Sequence, residues 1–77
     1  MQAATFNTNS GKKLLDAGDL DGAISQFRAA VTLAPEYSQA HRRLAEALDR
    51  KGEKAQAQEE FRKASELEKK PLKVNSR

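Results

Sequence analysis

The chain has no cysteine, no tryptophan, one histidine and two prolines in 77 residues. Without cysteine there is no disulfide framework, no thiolate nucleophile and no cysteine-based zinc site, and one histidine cannot build a histidine-rich metal centre. The redox compartment stays open. No apolar run approaches the roughly 18 to 20 residues that a membrane helix needs. The start, Met1-Gln2-Ala3-Ala4-Thr5, lacks the basic opening and apolar stretch of a secretory leader. A soluble, cytoplasmic chain is therefore expected. Alternating β-branched and aromatic residues, the mark of a strand, are also missing.

Charge is present but unevenly placed. Residues 1–35 hold Lys12, Lys13 and Arg28 against Asp16, Asp19 and Asp21 and sum to zero, whereas residues 36–77 hold 11 basic and 8 acidic residues. Lys69, Lys70, Lys73 and Arg77 fall in the last nine residues with no acid among them, so the net charge of +3 is largely a basic tail. Such a tail can touch nucleic acid or an anionic surface. A solvated end beyond the last helix is the simpler expectation, and nucleic acid is not the expected partner.

The chain repeats itself with a step of 34 residues. Leu14, Gly18, Ala23, Phe27, Ala30 and Leu33 recur as Leu48, Gly52, Ala57, Phe61, Ala64 and Leu67, and Arg28 recurs as Arg62. These are the small, aromatic and turn residues that a helical hairpin needs. A period of this length marks stacked supersecondary units, each burying its apolar face only against a neighbour.

Helical spacing is plain in three of four segments. From Leu20 to Leu33 the residues Leu20, Ala23, Ile24, Phe27, Ala30, Val31 and Ala34 run at steps of three and four. Asp19 and Asp21 favour the positive start of this helix and can cap its free amides. Pro35 ends it, because proline has no amide proton and biases the residue before it away from helical angles. A third helix is predicted over about Ser38 to Lys51, with His41, Leu44, Ala45 and Leu48 on its packed side, and a fourth over about Ala55 to Lys70. Gly18 and Gly52 stand where a left-handed residue closes a helix. The first helix is predicted to be weak. Phe6, Ser10 and Leu14 fall at steps of four, but Asn7-Thr8-Asn9-Ser10-Gly11 is rich in poor helix formers, which points to fraying before Gly11. The expected core is Leu14, Ala23, Phe27, Ala30, Leu44, Ala45, Leu48, Ala57, Phe61 and Leu67.

The run Gly18-Asp19-Leu20-Asp21-Gly22-Ala23-Ile24 with Phe27, Ala30 and Pro35, followed by Leu44, Ala45, Leu48, Gly52, Ala57, Phe61 and Ala64, resembles the tetratricopeptide repeat. The resemblance implies an all-α fold of two antiparallel helical hairpins, residues 4–37 and 38–70, stacked as a short right-handed α-solenoid, with residues 71–77 as a disordered basic tail. Lys54, Gln58 and Ser65 replace Leu20, Ile24 and Val31 in the second copy, so the last helix reads as a polar, water-facing cap. Three repeats are usually needed for independent stability. The chain is then a minimal domain, a self-associating one or a segment of a longer protein.

In such a stack the first helix of each hairpin lines a groove on the side away from its packed stripe. The resemblance thus implies a groove for a short peptide or helix of a protein partner, with Thr8, Lys12, Leu15, Gln39, Arg42, Arg43, Glu46 and Arg50 as candidate contacts. Across the two stripes Lys12, Arg42 and Arg50 balance Asp16, Glu46 and Asp49. Lys12 with Asp16, and Arg42 with Glu46 and Arg50, read equally well as solvated i,i+4 pairs. Leu15 beside the guanidinium groups is the expected anchor for a peptide. The clamp some relatives use for a terminal carboxylate is not carried over, since Arg42 and Arg43 stand where asparagine is wanted.

His41, on the packed face, reads as structural. Gly18 and Gly22 do not make a phosphate loop, because Asp19 and Asp21 would repel an anion. With no catalytic, metal or cofactor residues in view, the chain is not expected to be an enzyme. A self-associating scaffold is the alternative reading, with a homodimer expected through the first hairpin around Phe6, Leu15 and Leu20 and not through the last helix, where Lys54, Gln58 and Ser65 would be costly to bury unpaired.

Overall fold

A computed structural model describes residues 2–69, and these form four helices: α1 (Gln2–Asp16), α2 (Leu20–Leu33), α3 (Ser38–Lys51) and α4 (Lys54–Lys69). The basic tail and the predicted last residue of the fourth helix, Lys70, lie outside the described residues. No strand occurs among the described residues. α1 packs along α2 and α3 along α4 as two hairpins; α2 joins them through α3, and α1 meets α3 more lightly. Two stacked hairpins make a short solenoid.

The two hairpin turns are built identically. Gly18 and Gly52 have φ of 87° and 95°, a region costly for any residue with a Cβ. After each glycine the next amide reaches back five residues, Asp19 N to Leu14 O and Glu53 N to Leu48 O, both at 2.8 Å. The glycine amides themselves donate to Leu15 O and Asp49 O at 3.0 Å. These paired bonds satisfy carbonyls that a helix end leaves open. Asp19 caps α2 as expected, its Oδ1 accepting from Gly22 N at 3.0 Å. Asp21 instead pairs with Lys51 across the seam between hairpins.

α1 corrects the sequence reading twice. It is helical from Gln2 rather than frayed before Gly11. Its packed stripe is Ala4, Thr8, Gly11 and Leu15 rather than Phe6, Ser10 and Leu14: Ala4, Thr8 and Leu15 are buried, while Phe6 is 69% exposed. The physical reason lies in Gly11. A Cβ there would stand 2.5 Å from Cε1 of Phe27, so the residue that weakens the helix is the one that admits the aromatic ring of α2. Glycine costs a helix about 1 kcal/mol, against about 1.5 to 3 kcal/mol for burying such a side chain. Packing outweighs propensity. Thr8 is satisfied inside the helix, its Oγ1 donating to Ala4 O at 2.8 Å.

The main core gathers Leu15, Ala23, Ile24, Phe27, Leu44, Ala47, Leu48 and Ala57 from all four helices. A second cluster, Ala4, Ala30, Ala34 and Ala40, closes the end where α2 passes to α3. Of the expected core, Leu14 and Leu67 are half-buried, and Phe61 is 40% exposed because α3 is the one described helix that packs on α4.

Candidate functional site

α3 carries most of the candidate contacts, and its polar residues divide between two sides. Arg42 reaches α4, where Nη2 donates to Glu68. Asp49 is likewise taken by Lys54, at 2.7 Å. Both pairs are solvent-exposed, and both turn these side chains toward α4. Arg43, Glu46 and Arg50 stay together: Arg43 Nη1 lies 3.3 Å from Glu46 Oε1 and Arg50 Nη2 lies 3.9 Å from Glu46 Oε2. One carboxylate thus serves two guanidinium groups. Arg43 Nε is buried without a hydrogen-bond partner among the described residues.

On α1, Thr8 is 1% and Leu15 is 3% exposed. The expectation that Leu15 is an exposed peptide anchor is therefore corrected: it belongs to the main core, among Leu44 and Leu48. Thr8 is equally unavailable. A homodimer surface around Phe6, Leu15 and Leu20 loses Leu15 for the same reason, while Phe6 stays exposed and Leu20 half-buried. Lys12 is half-buried with no ion pair among the described residues, so the expected pairing with Asp16 does not form. Gln39, at the start of α3, accepts from the Tyr37 hydroxyl at 3.3 Å.

A family model for the tetratricopeptide repeat matches residues 14–72, more than half of the chain. The chain belongs to the tetratricopeptide repeat family. No curated protein matches it. Tetratricopeptide repeats are non-catalytic scaffolds that mediate contacts between proteins. Among the described residues no group of histidine, cysteine, aspartate or glutamate side chains could hold a metal, and no helix is long and apolar enough to cross a membrane.

His41 has the structural place the packed face of a tetratricopeptide helix gives it. It is 7% exposed and ties three elements together. Nε2 donates to Pro35 O at 2.7 Å, because a carbonyl can only accept. Nδ1 lies 2.7 Å from Glu60 Oε1 on α4. Lys63 Nζ stands 3.5 Å from the other oxygen of Glu60. A surface hollow of about 340 Å³ opens beside this cluster, lined by Pro35, His41, Lys63, Glu66 and Leu67.

Glu60 and Glu68 were invisible to sequence reasoning as partners. They lie 19 and 26 residues from His41 and Arg42, so no helical spacing relates them. The one available signal was the repeat, which places α4 against α3 in the way α2 lies against α1.

Lys51, at the end of α3, holds its proton more tightly than an ordinary lysine. The hydrogen bond to Asp21 is the main cause and the attraction of that carboxylate the next.

Proposed function

We propose that the chain binds an acidic peptide or helix of a protein partner along the side formed by α1 and α3, with Arg43 and Arg50 as the principal contacts and Lys12, Gln39 and Glu46 beside them. The observation that carries this reading is the under-supplied pair of guanidinium groups: Arg43 and Arg50 share the single carboxylate of Glu46, at 3.3 and 3.9 Å, and both side chains reach solvent, 30% and 52% exposed. With Arg42 and Asp49 drawn off to α4 partners, the remaining stripe holds Lys12, Arg43 and Arg50 against Asp16 and Glu46, a net charge of +1. A carboxylate from a partner would complete the arginine fork.

The test is selection of peptides from a random display library on the intact chain, followed by affinity measurement by fluorescence anisotropy. Acid-rich sequences are expected. Arg43→Glu should weaken them at least tenfold, about 1.4 kcal/mol, and Arg62→Glu on the far side of α4 should leave them nearly unchanged. Selected peptides that bind parent and Arg43→Glu alike would overturn the assignment.

A further inference from the structure

We propose that copies of this chain associate head to tail, the outer face of α4 on one copy receiving the outer face of α1 on the next, as α2 receives α3 within a single copy. The 34-residue repeat makes the inner seam a template for the outer one. Phe61 is the repeat equivalent of Phe27, and Phe6 is the equivalent of Ala40. Within the copy, Phe27 and Ala40 are both 0% exposed, covered from opposite sides of the seam. Their equivalents are two of the three large apolar side chains left exposed among the described residues, Phe61 at 40% and Phe6 at 69%. Each terminal face therefore presents an aromatic ring where the inner seam buries a side chain completely.

The polar residues on the two faces are matched as well. Ile24, Leu44 and Ala47 share the main core at the inner seam. Gln58 is the equivalent of Ile24 on α4, and Ser10 and Lys13 are the equivalents of Leu44 and Ala47 on α1. A polar α4 alone argues against self-association, since burying unpaired polar groups is costly. Here the amide of Gln58 would meet a hydroxyl and an ammonium group, and all three are groups that bond to one another. Lys13 makes no ion pair among the described residues that this contact would break. A second copy is thus the occupant whose surface fits. Because the contact joins two different faces, each copy keeps one face free, and repeating the rotation of the inner seam continues the solenoid as an open chain rather than a ring.

Sedimentation velocity of the intact chain over a concentration series tests this. The parent should grow past a dimer without reaching a fixed stoichiometry. Phe6→Asp and Phe61→Asp should each remain monomeric with parental helicity by circular dichroism. Mixed in equal amounts they should form a dimer and stop, because the mixture retains one intact α4 face and one intact α1 face. Gln58→Lys, at an exposed position that does not endanger folding, should weaken association at least tenfold by facing Lys13, and Lys13→Glu should restore it. A parent that is monomeric throughout, a parent that saturates as a dimer, or a mixture that fails to reassociate would each overturn the proposal.

Discussion

Phe27 and Phe61 are the same residue of the same repeat, yet the first is fully buried and the second is 40% exposed. Both sit on the second helix of a hairpin, and both hairpins turn through the same glycine and the same backward bonds. Two differences separate them. Phe27 is covered by α3 of the next hairpin, whereas no described helix follows α4. Phe27 also lies against Gly11, which has no Cβ, while the equivalent of Gly11 in the second hairpin is Ala45, itself 0% exposed. A repeat residue's role is therefore set by its neighbours: a residue that is core in one unit is surface in the next.

The largest expected effect breaks the comparison directly. Phe27→Ala should cost about 3 to 5 kcal/mol, because it leaves a cavity that four helices surround. Phe61→Ala should cost about 1 to 2 kcal/mol, since much of the ring is already in water. Urea unfolding of the two variants measures both, and equal losses would show that the two repeats are energetically alike.

Gly11→Ala and Ala45→Gly sharpen the same contrast at the facing position. Alanine normally improves a helix by about 1 kcal/mol over glycine. At Gly11 it should instead destabilise by about 1 to 2 kcal/mol, because its Cβ meets the rigid ring of Phe27 at 2.5 Å. Ala45→Gly should cost about 1 kcal/mol in helix propensity alone, with further loss for any packing of the methyl group. A Gly11→Ala variant with a raised melting temperature would place the ring elsewhere.

Where the hairpins are truly alike, the effects should be alike. Gly18→Ala and Gly52→Ala force a Cβ into φ near 90° and should each cost about 1 to 2 kcal/mol, equal within error in thermal melts. An unequal pair would mean that the turns differ in ways their hydrogen bonds do not record.

The smallest effect concerns the seam. Lys51 binds its proton more tightly in the folded chain than its ordinary 10.5, through Asp21. Folding is favoured by this link while Lys51 is protonated in both states, fully so below that ordinary value. The contribution then fades as pH rises through the raised folded value. Both groups are exposed, so the stability change is slight. The direct readout is the Lys51 titration by NMR, which Asp21→Asn should return to the ordinary range. A titration unmoved by that substitution would remove the link.

The sequence by itself determined the features that a few neighbouring residues control. The 34-residue period, the ends of α2 and α3, the capping by Asp19 and the left-handed glycines follow from backbone geometry and from i, i+3, i+4 spacing, all local quantities. Only the tertiary structure decided α1, whose helix holds because Phe27 fills the space that Gly11 leaves and whose buried stripe runs through Thr8 and Leu15. It also chose between Glu46 and Glu68 as the partner of Arg42, and placed Glu60 against His41. Burial and ion pairing depend on what lies across a seam, and the residues that meet there are 19 or more positions apart in the chain. For the same reason two identical phenylalanines received opposite surroundings.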